Sequence, residues 1–219
     1  MPSLSEILIY GIPLLLAITL HEAAHGYVAL YFGDDTAKRM GRISLNPFRH
    51  IDLFGTLLLP GFLVLTGSPV LFGYAKPVPV NFARLNHPRR DSVYVAAAGP
   101  AMNIFLAFVS ALLFHFLDLL PSDLQPAVQE SLTLSLTINV VLALFNMLPL
   151  PPLDGGRVAV GLLPSALGRP LARVEPYGFM ILFALLLIPP LFDVNVLGWL
   201  LSHPVKVIVE GIATIAGLS

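Results

Sequence analysis

Six apolar runs alternate with short polar stretches along the chain. The first, residues 4–32, already exceeds the roughly 20 residues that a membrane-crossing helix requires. Gly11 and Pro13 predict a start or a kink in its helix, and Gly33 followed by Asp34 and Asp35 predicts its end. Residues 38–50 are polar, and the alternation through Gly41-Arg42-Ile43-Ser44-Leu45-Asn46-Pro47 predicts a short strand and a turn. The run 53–72 is long enough to span, yet it carries Gly55, Pro60-Gly61 and Gly67-Ser68-Pro69. Such breakers are tolerated at membrane depth only where the freed backbone is buried in protein. Residues 74–81, with Pro77 and Pro79, predict an extended segment. A third long run, 93–119, holds Ala96 to Asn103, whose small residues let helices approach closely. After an acidic, proline-containing loop at 118–130, the next run starts near Leu132 and breaks at Pro149, Pro151 and Pro152. Two more follow, 174–191 and 194–218. The last carries His203-Pro204, Lys206 and Glu210, so it can span the bilayer or lie along its surface.

Composition turns this pattern into a fold class. The chain is 56% hydrophobic and 11% charged, with a mean hydropathy of +0.83. A soluble domain carries about 25% charged residues. The expectation is therefore an all-α polytopic membrane protein with about five or six membrane helices. The first run is not a secretory signal peptide by pattern: it lacks a basic leading stretch, is too long, and has ionisable residues where an apolar core would be. A net charge of −1 argues against nucleic acid as a partner. With no cysteine, a bound metal must be held by His, Asp or Glu.

Charge placement predicts the topology. Of 12 Lys and Arg residues, four lie in 38–49, four in 76–90 and three in 157–173, and none in the loop 118–130. Basic loops stay on the cytoplasmic side. The first run then enters the cytoplasm at its C-terminal end, the run 93–119 leads outward, and the next leads back in. Residues 51–73, flanked on both sides by basic segments, must enter and leave on one face. They read as a re-entrant hairpin turning near Pro60-Gly61.

The chemistry sits in the first run, at His21-Glu22-Ala23-Ala24-His25. On a helix, residues four apart lie about 40° off alignment and roughly 6 Å apart along the axis, so both imidazoles can meet one metal ion. Glu22 stands beside them, within reach of a water. Ionisable groups at mid-membrane cost roughly 2.5–3.5 kcal/mol each, so they call for a partner or a use. The plain alternative is a set of internal hydrogen bonds in a helix bundle. A catalytic zinc takes three protein ligands, and Asp154 is the best candidate for the third, although it could equally cap a short helix. His21 and His25 lie about 10–16 Å from the cytoplasmic end of their helix, a depth that Asp154 can share. The prolines 149–152 leave non-helical backbone with amides that a substrate strand could use, as could the extended stretch 74–81. Asn146 taken alone reads as interhelical glue. His50 and His87 read as solvated loop residues, and His115 and His203 lack any partner at ligand spacing.

His21-Glu22-Ala23-Ala24-His25 together with Asn146-Met147-Leu148-Pro149-Leu150-Pro151-Pro152-Leu153-Asp154-Gly155 resembles the site-2 protease family of intramembrane zinc metalloproteases. That family's patterns are H-E-x-x-H and N-x-x-P-x-P-x-L-D-G, and Gly99-Pro100-Ala101-Met102-Asn103 resembles its G-P-x-x-N. The resemblance covers about residues 5–160, within a single membrane-embedded unit of residues 1–219 whose accessory helices fall in 174–218. It implies zinc, one ion per chain, on His21, His25 and Asp154, with Glu22 as the catalytic acid/base. It also implies Asn146, Pro149 and Asn103 on the substrate side, Asn103 reading equally well as a structural or supporting residue. The hairpin would correspond to the family's membrane-embedded insert. The implied activity is zinc-dependent hydrolysis of peptide bonds within or next to transmembrane segments of membrane proteins in the lipid bilayer. The implied active site is nearer the cytoplasmic face. Many members carry a PDZ domain or a CBS pair, and the sequence read here has the pattern of a short form without them.

Two other readings compete. One is a zinc-binding membrane protein without proteolytic activity, either a transporter or an inactive scaffold. The single ligand set argues against the first, and the presence of Glu22 against the second. The other is a different membrane zincin with a glutamate as third ligand, for which Glu130, Glu175 and Glu210 are available but lie in no metal-type motif.

Overall fold

Helix α1 (Leu4–Tyr31) is followed by the single turn α2 (Thr36–Arg39), then α3 (Pro88–Leu113) and α4 (Gln125–Asn146). Short helices α5 (Asp154–Leu162), α6 (Ser165–Ala172) and α7 (Gly178–Leu187) lead to α8 (Val196–Ile215). The computed structural model describes residues 4–58, 76–188, 192 and 194–218. Four stretches are long and apolar enough to cross a membrane: Leu8–Tyr31, Pro88–Leu119, Gln125–Asn146 and Val196–Ile215. The described residues thus show four of the five or six expected. Helix α7, ten residues long, reaches only about 15 Å, half the thickness of a bilayer core.

Helices α1, α3 and α4 pack together through small side chains. Ala17, Ala23, Ala24, Ala29, Ala96, Ala107, Ala111 and Ala143 are all buried. Where lipid tails are as apolar as leucine, close approach and interhelical hydrogen bonds hold helices together. Contacts across the trio set its directions. Asn103 of α3 lies level with Ala17 and His21 of α1, whereas Val95 lies level with His25, so α3 runs antiparallel to α1. On the α4 side, Ser110 bonds Ser135 and Asn103 bonds Asn139, so α4 is antiparallel to α3. The alternation expected from loop charge is present as geometry. A second apolar cluster seats α8 on this trio through Ile212 and Ala216 against Leu136, Val140, Ala107 and Ala111.

Helix α1 continues through Gly11 and Pro13, so it does not start there. Pro13 has no N–H, so the carbonyl of Ile9, one turn earlier, loses its helical donor. The Ser131 hydroxyl of α4 donates to that carbonyl at 3.1 Å. A neighbouring hydroxyl thus satisfies the freed group, which is how proline persists in a membrane helix. The helix ends where expected: Gly33 adopts φ 103°, and a Cβ there would meet Asn86 Oδ1 at 2.7 Å.

The short strands expected at the loop side are absent among the described residues. Residues 36–39 are helical instead, and Pro47–Arg49 form a 3-10 turn whose Phe48 N–H is capped by the Asn46 side chain at 3.0 Å. Residues 76–80 form no helix and pair with no strand, and side chains take up their backbone groups. Val78 N–H donates to Glu22, Asn81 N–H to Asp34, and the Arg42 guanidinium donates to the carbonyls of Lys76 and Pro77. Asp34, fully buried just past α1, also accepts from the Thr36 backbone and hydroxyl. Burial works to raise its pKa, but these bonds and nearby Arg84 outweigh it and hold the carboxyl below its ordinary range.

The expected re-entrant hairpin falls largely on residues 59–75, outside the described residues. Its two ends are described, and they meet: Lys76 N–H donates to the His50 carbonyl at 2.8 Å. His50 is buried rather than solvated, with Nε2 2.8 Å from the Ser44 carbonyl.

Candidate metal centre

Two helices and one helix start build the site. His21 and His25 project from one face of α1, and both are more than 90% buried. Asp154 opens α5 after a proline-rich turn in which the Pro151–Pro152 bond is cis. That turn returns α5 tightly onto the end of α4. A Cβ on Gly155 would lie 2.2 Å from the Met147 carbonyl oxygen, and one on Gly156 would lie 2.2 Å from Pro151 N. Asp154-Gly155-Gly156 therefore reads as a close approach that only glycine permits, and it carries the carboxylate to the histidines.

The ligand atoms converge. His21 Nε2 and His25 Nε2 are 3.1 Å apart, and Asp154 Oδ2 lies 3.2 Å and 3.4 Å from them. Zinc bonds of 2.0–2.1 Å at tetrahedral angles give ligand separations of roughly 3.3 Å. These three residues form the only cluster of His, Asp and Glu among the described residues that could hold a metal ion.

The hydrogen-bond partners of the rings make the same point. His25 Nδ1 lies 2.7 Å from the Val95 carbonyl, which can only accept, so Nδ1 carries a proton and the neutral ring presents its lone pair on Nε2. His21 Nδ1 lies 2.5 Å from Asn103 Oδ1, in the same sense. Two ring lone pairs then face Asp154 Oδ2, a buried oxygen with no hydrogen-bond partner. Three electron-rich atoms this close need a cation among them, and two imidazole nitrogens with one carboxylate oxygen are a donor set that fits zinc.

Gly99 of α3 completes the pocket. A Cβ there would lie 2.5 Å from both Nε2 atoms, so the space beside the ligands exists because this residue has no side chain. Sequence reasoning read Gly99 as a residue that lets helices pack and as part of the G-P-x-x-N pattern, with no role at the ligands. Its motif position was the available signal. Val95 acts through its backbone carbonyl and leaves no trace in side-chain patterns.

Glu22 is half-buried beside the histidines, and its Oε2 accepts the Val78 N–H at 2.7 Å. Pro77 and Pro79 have no N–H, so Val78 supplies the only amide that Pro77-Val78-Pro79 can offer. Gly26, one turn along α1, leaves room for Val78, whose Cγ1 would sit 3.0 Å from a Cβ.

The other expected site residues lie apart from the ligands. Asn103 is fully buried behind His21. Asn146 donates its side-chain N–H to the Leu142 carbonyl at 3.0 Å, and Pro149 is exposed. The amides of the proline-rich turn are engaged internally, contrary to expectation: Leu150 N–H bonds Leu148 O at 2.7 Å and Leu153 N–H bonds Leu150 O at 2.9 Å. The glutamates considered as a third ligand have other partners: Glu130 accepts from Tyr10, Glu175 pairs with Arg157, and Glu210 with Lys206.

With this geometry in hand, comparison with known proteins is decisive. The pattern of peptidase family M50 matches residues 9–135 and 122–189. The chain belongs to peptidase family M50, the site-2 protease family. Among similar relatives, "Putative zinc metalloprotease YwhC" of Bacillus subtilis is 41% identical over 182 residues, covering 81% of this chain and 80% of that protein. "Putative zinc metalloprotease Rip2" of Mycolicibacterium smegmatis is 29% identical over 181 residues, 81% of this chain and 66% of its own length. Rip2 of Mycobacterium tuberculosis H37Rv is likewise 29% identical, over 177 residues. No solved structure matches the chain. Membership in M50 makes this multi-pass membrane protein a metalloprotease, and it does not favour the transporter or scaffold reading.

Proposed function

We propose that this M50 chain cleaves peptide bonds within or beside transmembrane segments, with one zinc ion held by His21, His25 and Asp154. The observation that carries the reading is the convergence of their three ligand atoms within 4.8 Å of one another. Zinc supplies Lewis acidity, which lowers the pKa of water and polarises a carbonyl. Glu22 takes the proton from the attacking water as its oxygen bonds to the scissile carbonyl carbon. The same carboxylate then delivers that proton to the amide nitrogen as the C–N bond breaks. Val78 N–H holds Oε2 of Glu22, which fixes the carboxylate's orientation for both transfers. A helical substrate hides its carbonyls, so the scissile segment must unwind before it reaches the site. Asn146 and Pro149, at the end of α4, stand on the substrate side, whereas the burial of Asn103 supports a role in orienting His21.

Purified protein in lipid vesicles, given a transmembrane substrate, is expected to release two fragments. A strong zinc chelator should stop cleavage, and added zinc should restore it. Cleavage that survives full zinc removal contradicts the reading.

The site is proposed to lie nearer the cytoplasmic face, because the basic residues cluster at the ends of α1 and α4 that carry it. The bond between Lys76 and His50 supports a segment 51–75 that leaves and returns on one side. Single cysteines at Ser44 and Asn86 are expected to react with a membrane-impermeant reagent from the cytoplasmic side only. Labelling from opposite sides would mean a full span.

A further inference from the structure

Behind His21 a line of buried amides crosses three helices, and only its first member belongs to a recognised motif. Asn103 Nδ2 donates to Asn139 Oδ1 at 2.8 Å and to the Ala17 carbonyl at 3.2 Å. Asn139 Nδ2 donates to the Ser135 carbonyl at 2.9 Å. Asn103 and Asn139 are 0% and 1% exposed, so either amide, if reversed, would leave an acceptor facing a carbonyl acceptor inside the membrane.

We propose that Asn139 is a positioning residue that sets the tautomer of His21 through Asn103. The inference rests on His21 being a metal ligand. The direction of the line follows from its ends. The carbonyls of Ser135 and Ala17 can only accept, so they fix the NH2 group of each asparagine toward them. Asn139 therefore presents its oxygen to Asn103, and Asn103 presents its oxygen to His21. His21 must then carry its proton on Nδ1, which leaves the Nε2 lone pair facing His25 and Asp154. Were the Asn103 amide reversed, its NH2 would face Nδ1, move the ring proton to Nε2 and close that ligand atom to metal. Ala17 alone holds one of the two Asn103 N–H bonds, and Asn139 holds the other. Asn139 also lies on α4, whereas His21 lies on α1. The line thereby ties the ligand's electronic state to the packing of all three central helices.

The test is zinc affinity of the purified full chain in detergent, measured by competition with a chelator. Asn139→Leu, close in volume but without polar atoms, is expected to lower affinity about tenfold or more, in the range that supporting partners of metal ligands show. In an Asn103→Ala background the same substitution is expected to add less than about a twofold further loss, because it acts through Asn103. Losses that multiply, or wild-type affinity in Asn139→Leu, overturn the proposal. His21→Ala separates the two readings: its failure to lose zinc would remove His21 as a ligand, whereas loss there with none in Asn139→Leu removes only the present inference. Nitrogen NMR of 15N-histidine wild-type protein without zinc needs no substitution. The Nδ1–H form of His21 is expected, and the Nε2–H form overturns the proposal.

Discussion

Glu22→Gln is expected to keep its zinc and its fold yet cut a transmembrane substrate about 10²–10⁴-fold more slowly, the usual share of a general acid–base group. Glutamine has nearly the same volume, and its side-chain oxygen can still accept the Val78 N–H that Glu22 Oε2 accepts at 2.7 Å. What it cannot do is take a proton from water. None of the three converging ligand atoms comes from Glu22, so metal content should not change. The measurement is a cleavage rate set against metal content in the same preparation. Loss of zinc together with activity would mean that Glu22 is a ligand. Undiminished cleavage would remove the proposed proton transfer and leave the fold standing.

Gly99→Ala separates helix stability from metal binding. Alanine in a helix is favoured over glycine by about 1 kcal/mol, so propensity alone would make α3 more stable. The added methyl, however, would lie 2.5 Å from Nε2 of both His21 and His25, inside contact distance and on the side where the ligand atoms meet. One ring must turn away or α3 must shift. The expected result is a loss in zinc affinity of at least about 10–100-fold, the scale set by weaker disturbances of metal partners. Helix content by circular dichroism should be unchanged. Wild-type zinc affinity in this variant would show that the pocket has slack that this geometry does not contain.

The parts of this site that the sequence made legible are those with a period or a motif. His21 and His25 follow helical spacing, and Asp154 follows a proline break that had to end one helix and start another. Loop charge foretold the antiparallel order of α1, α3 and α4 because the two connections are strongly biased, with six Lys and Arg residues in 32–87 and none in 114–124. The illegible parts depend on partners far along the chain. Pro13 passes through α1 unbroken because Ser131, more than a hundred residues later, donates to the carbonyl it frees. The expected strand near Gly41 to Pro47 failed because alternation over so few residues is outweighed by local caps such as Asn46 on Phe48. His50 looked like a solvated loop residue, yet it is buried, and its carbonyl accepts from the distant Lys76 N–H. Asn139 gave no signal beyond being a polar residue in an apolar run. Its meaning came from the amide it faces.

The most direct test of the zinc site is the metal content of Asp154→Ala, purified in parallel with wild type and with His115→Ala. Asp154 contributes the one carboxylate oxygen to the converging set, whereas His115 bonds the Ala216 carbonyl far from it. Wild type and His115→Ala are expected to carry one zinc per chain, and Asp154→Ala close to none after brief exposure to a chelator. One zinc per chain retained in Asp154→Ala under the same exposure would contradict the three-residue site.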